Sequence, residues 1–163
     1  MDATTLHTYV MNKSKYAPYD QSKLIEESSE LVIPNRYFNG INVTSFNISS
    51  NAKLKRIEIG SECYGKVRVF ILDGLSELES VVIGQTSFTM KTNDLWKDER
   101  SDGDYRIVNC PKLKSIQINS YSFGDYHSFE LNNLPSLQSI DMGGYCFYNA
   151  PSFSLTSLIV WLV

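Results

Sequence analysis

The sequence predicts a mainly β protein: a leucine-rich-repeat-like β-solenoid of about five 24-residue coils with short parallel strands. Three observations predict it. Residues 110–133, "CPKLKSIQINSYSFGDYHSFELNN", are followed at once by 134–157, "LPSLQSIDMGGYCFYNAPSFSLTS", with the apolar letters kept and the polar ones changed. The same pattern starts 24 residues apart at Leu54 and Leu78 and again at Leu113 and Leu137. Within each unit, L-x-x-I-x-I ends on an alternation of period two, the mark of a strand with one face buried.

Residues 1–27 do not fit the repeat. "DQSKLIEESSE" has the makings of a short helix capped by Asp20 or Ser22, and the segment is expected to be a cap over the first coil or a disordered stretch. A degenerate first unit starts near Ser28, runs through Leu31, Ile33, Phe38, Phe46, Ile48 and Asn51, and is two residues longer than the others. The second unit carries Leu54, Ile57, Ile59, Gly60, Tyr64 and Phe70, and the third Leu78, Val81, Ile83, Gly84 and Phe88. Leu78 and Leu113 are 35 apart, so eleven residues are inserted, at about 89–104. The fourth and fifth units restore the pattern with Ile116, Ile118, Phe123 and Phe129, then Ile140, Met142, Phe147 and Phe153. Trp161 then takes the Leu position of a further unit, whose Ile never arrives before Val163. This predicts a truncated chain, a fragment, or an uncapped last coil that associates end to end with another chain.

A second alternation, F-x-L, predicts another extended segment in each unit. The β-branched residues and the Ser/Asn-rich connections oppose helix. The Gly or Asn after the first strand is expected to adopt φ > 0. One coil cannot bury its apolar face alone, so each supplies the wall its neighbour needs. The predicted core is the columns Leu54/Leu78/Leu113/Leu137, Ile57/Val81/Ile116/Ile140 and Phe70/Tyr105/Phe129/Phe153. Cys110 falls in the column of Leu75, Leu134 and Leu158 and is expected to be buried. Cys63 and Cys146 share a position three coils apart, about 14 Å, which is too far for a disulfide.

At "LKSIQIN" and "LPSLQSIDMGGYCFYN" the chain resembles the BspA-like leucine-rich-repeat family of unicellular eukaryotes, over roughly residues 28–163. The resemblance implies an interaction or surface role. Asn119 departs from the Pro or Gly usual after the strand.

Charge and motifs exclude more than they select. A net charge of −3 leaves no basic footprint, so nucleic acid and anionic membranes are poor candidate partners. No apolar run approaches the roughly 20 residues of a membrane span, and "MDATTLHTYVMNKSKYAPYD" lacks a secretory pattern. Missing signal and unpaired thiols favour the cytoplasm, whereas the resemblance favours the cell surface. No GxSxG, Walker loop, HExxH or EF-hand spacing occurs, and no cofactor or metal is expected.

The candidate binding residues lie between the core positions of the first strand. Glu58, Val82, Gln117 and Asp141 form a solvent-facing ladder, with Arg56, Ser80, Ser115 and Ser139 beside it. Trp96, among the charged residues of the insertion, is a second candidate contact. Three functions compete: a non-enzymatic protein-interaction or adhesion module acting through the ladder, a carbohydrate-binding or carbohydrate-active β-helix, and a fragment of a larger repeat protein without a function of its own. Glu58 and Asp141, about 14 Å apart, exceed the roughly 5–9.5 Å of a glycosidase pair.

Overall fold

The computed structural model describes residues 8–10, 29–40, 42–49, 51–89 and 103–156. All regular structure in them is strand: β1 Thr8–Val10, β2 Glu30–Ile33, β3 Ser45–Ile48, β4 Arg56–Ile59, β5 Val69–Asp73, β6 Ser80–Ile83, β7 Gly103–Val108, β8 Ser115–Ile118, β9 Tyr126–Asn132, β10 Ser139–Met142 and β11 Ser152–Thr156. Each coil gives one strand to each of two sheets, and five coils stack into a β-solenoid. The first sheet runs β1-β2-β4-β6-β8-β10 and the second β11-β9-β7-β5-β3, with every pairing parallel. The helix expected over "DQSKLIEESSE" lies outside the described residues apart from its last two; of these, Glu30 opens β2, and Thr8–Val10 pair with that strand as an additional rung.

The predicted columns are the observed register. Ile57 lies beside Val81, Val81 beside Ile116, and Ile116 beside Ile140. Phe46, Phe70, Tyr105, Phe129 and Phe153 follow one another across the second sheet. A second aromatic column, Phe38, Tyr64, Phe88, Phe123 and Phe147, stacks ring on ring at 4.7–5.1 Å. Its rings meet the first column edge to face, the geometry their quadrupoles favour.

The core weakens in the last described coil, contrary to the sequence expectation. Leu137 and Ile140 are only partly buried, and Phe153 is 54% exposed where Phe129 is 2%. A side chain in this fold is covered by the coil on either side, and none of the described residues forms a rung beyond β10 and β11. Leu158 and Trp161 lie outside the described residues.

The glycine expectation is also corrected. Gly60, Gly84 and Gly143 are not the left-handed residues. They follow the strand because the turns of neighbouring coils touch there: a Cβ on Gly84 would sit 2.4 Å from the Gly60 carbonyl carbon, and one on Gly143 2.5 Å from the Ser120 amide nitrogen. The left-handed positions come two and four residues later. Arg36/Phe38, Glu62/Tyr64, Thr86/Phe88, Tyr121/Phe123 and Tyr145/Phe147 all have φ between +51° and +67°. Each such residue costs about 1–2 kcal/mol outside glycine. The compensation is visible in the main chain. The N–H groups of Glu62, Thr86 and Tyr121 are donated to the next coil, and those of Tyr64, Phe88 and Phe123 to the previous one. The alternation lets one turn bond both neighbours.

Between these left-handed residues runs a column of small hydroxyls and thiols. Cys63, Ser87, Ser122 and Cys146 donate to the carbonyl oxygens of Pro34, Gly60, Gly84 and Asn119 in the coil before, at 3.1, 2.8, 2.8 and 3.2 Å. The three thiols are free, Cys63 and Cys146 as their spacing predicts, and Cys110 is buried as its column predicts. At the opposite corner Gly74, Asn109 and Asn133 share one left-handed position. The Asn133 amide donates to Asn109 Oδ1 and the Asn109 amide to Asp73 Oδ1, both at 2.9 Å.

Across the insertion, between Thr89 and Gly103, the β6–β8 and β5–β7 registers hold, while the β7–β9 pairing shifts by one residue between Gly103 and Asp104. Residues 90–102, Trp96 among them, lie outside the described residues.

Candidate functional site

The period-two pleat of β4, β6, β8 and β10 turns the ladder residues away from the core. Glu58 lies beside Val82, Val82 beside Gln117, and Gln117 beside Asp141, on successive rungs. Arg56, Ser80, Ser115 and Ser139 form the parallel row two residues earlier. The structure therefore brings together Arg56, Glu58, Val82, Gln117 and Asp141 on one face. Glu58 and Val82 are half-buried, and Gln117 and Asp141 exposed. Arg56 pairs with Glu58 on the same strand, so the two charges largely cancel. Gln117 and Asp141 are the polar groups left at the other end. Trp96 is not placed on this face, because it lies outside the described residues.

Two columns of alternating charge flank the row. Lys112 pairs with Glu77 and Lys114 with Glu79, each at 2.7 Å. The Lys114 ammonium holds the Glu79 carboxyl below its ordinary range. These pairs are exposed and contribute little stability.

Sequence reasoning missed a third feature at the corner between the sheets. A groove of about 330 Å³ is lined by Arg36, Asn39, Glu62, Gly65, Lys66, Thr86 and Thr89. Arg36 Nε and Glu62 Oε2 lie 3.6 Å apart along one wall. The signal was available: Arg36, Glu62, Thr86, Tyr121 and Tyr145 occupy one repeat position. Their chemistry varies, so the position read as a loop.

Among the described residues no group of three His, Cys, Asp or Glu side chains is placed to hold a metal ion. No helix among them is long and apolar enough to cross a membrane. Comparison with protein-family models, with curated proteins and with solved structures finds no match.

Proposed function

We propose that the chain is a non-enzymatic interaction or adhesion module that binds a protein partner through the outward ladder of the first sheet, the role that a BspA-like leucine-rich repeat implies. One observation carries this reading. On β4, β6, β8 and β10 the inward residues stay aliphatic from rung to rung, while the outward ones run from Glu58 through Val82 and Gln117 to Asp141. A rigid face with a different group on each rung, about 4.8 Å apart, suits recognition of a surface. The spread of Glu58 and Asp141 over three rungs favours binding over hydrolysis.

The test is capture of binding proteins from source-cell extract by the wild type and by a Glu58→Ala/Gln117→Ala/Asp141→Ala triple variant of matched thermal midpoint. Captured proteins are expected to fall about tenfold with the variant. A folded variant that keeps all of them removes the ladder as the interface.

End-to-end association through the last described coil belongs to the same reading. Met142, Phe153 and Leu155 are exposed there at 43%, 54% and 55%, in columns that are buried in earlier coils. Sedimentation of Phe153→Lys against the wild type tests it; equal, concentration-independent masses count against it.

A further inference from the structure

The corner groove is lined by residues of the first three coils. One wall is the left-handed column Arg36, Glu62, Thr86, and in the fourth and fifth coils this column continues as Tyr121 and Tyr145. The other wall, three residues on, passes through Thr89 and Gly124 to Tyr148. Polar along the groove, the column thus becomes aromatic beyond it. Tyr121 and Tyr145 stack at 5.1 Å with 5° between their planes, yet are 49% and 63% exposed. Tyr148, 58% exposed, stands 6.2 Å from Tyr145 and is inclined to it by 43°.

We infer that this groove binds a linear, uncharged oligosaccharide. The main chain argues against an extended peptide. The N–H groups of Arg36, Glu62, Thr86 and Tyr121 are all donated to the following coil, so the wall offers no row of donors for strand addition. Charge argues against a polyanion: Arg36 and Lys66 are balanced by Glu62 and Asp125 along the same corner. What the groove presents is a mixture of hydroxyl, carboxylate and guanidinium groups beside three amphipathic rings. That set complements a sugar, which has hydroxyls around its rim and C–H faces above and below. The groove is separate from the strand ladder and does not depend on it.

The experiment titrates the full chain with cellohexaose, xylohexaose and laminarihexaose as uncharged probes, and with hexagalacturonate as the charged one, followed by calorimetry. At least one uncharged probe is expected to saturate. Its affinity is expected to fall about tenfold in Tyr145→Ala and in Tyr148→Ala, and to be unchanged in Lys112→Ala, at the exposed pair with Glu77. Three results overturn the inference: no uncharged probe saturates, only hexagalacturonate binds, or the folded Tyr145→Ala/Tyr148→Ala double variant keeps wild-type affinity.

Discussion

The Tyr126 hydroxyl donates a hydrogen bond to the Val67 carbonyl oxygen at 2.9 Å, two coils away. The coil between them is the one interrupted by the insertion. Its chain returns at Gly103, where a Cβ would lie 2.8 Å from Tyr126 Cγ. Tyr126→Phe leaves the buried carbonyl without this donor and is expected to cost about 1–3 kcal/mol. Gly103→Ala is expected to cost at least as much, because it displaces the ring. Denaturant midpoints at constant slope measure both, and an unchanged midpoint for Tyr126→Phe would show that the bond contributes nothing.

Tyr105 gives the opposite expectation. It lies in a column otherwise made of Phe46, Phe70, Phe129 and Phe153, and its hydroxyl is buried with no hydrogen-bond partner among the described residues. Tyr105→Phe is expected to be neutral or to stabilise by up to about 2 kcal/mol. A loss above about 1 kcal/mol in the same assay would reveal a partner for that hydroxyl.

The hydroxyl–thiol column separates substitutions that look alike. Ser122 Oγ donates to the Gly84 carbonyl and accepts from the Ser87 N–H at 3.1 Å. Ser122→Ala is therefore expected to cost about 1–3 kcal/mol. Cys63→Ser places in that column the residue that Ser87 and Ser122 already supply, and is expected to stay within about 1 kcal/mol of the wild type. Thermal unfolding of the two variants side by side checks the contrast; equal losses would mean the column is only filler.

Stack position should govern the effect of losing a ring. Phe123 contacts Phe70, Phe88, Tyr105, Tyr126 and Phe147 at 4.7–5.4 Å. Phe123→Ala is expected to cost about 3–5 kcal/mol, and Phe153→Ala, half exposed, about 1 kcal/mol or less. Calorimetry that ranks them equally would contradict the stacking account.

Burial raises every shifted thiol and phenol. The Cys110 thiol is pushed from 9.0 up to about 11, and the Tyr105 and Tyr126 phenols are driven upward from 10.0. The folded chain thus holds these protons more firmly than the unfolded one. Their contribution is fully present below the unfolded thiol's 9.0 and is lost as pH rises from there through about 11. Midpoints measured from neutral to alkaline pH should fall over that window, and less steeply in Cys110→Ala. A flat or rising profile would refute the assignment.

Both sheets were legible in the sequence, because a buried column demands the same kind of side chain on every rung. Leu54, Ile57 and Phe70 announce their places by repetition alone. The glycines were found but misread. Gly84 is needed because another coil's backbone lies against it, a distance no single unit encodes. The exposure of Phe153 was missed for a related reason: its pattern is that of a buried ring, while its cover must come from a further rung. The ladder was legible as the positions left over between core residues. The corner groove was not, because Arg36, Thr86 and Tyr145 share a backbone conformation and no chemistry.

The β6–β8 and β5–β7 registers that survive across Thr89 and Gly103 have a practical consequence. Ser80 still faces Ser115, and Val69 still faces Asp104, although eleven residues intervene that no other full coil carries. That corner is therefore a permissive joint, where foreign sequence such as an epitope or a reporter tag could be spliced in while the scaffold on both sides closes as before.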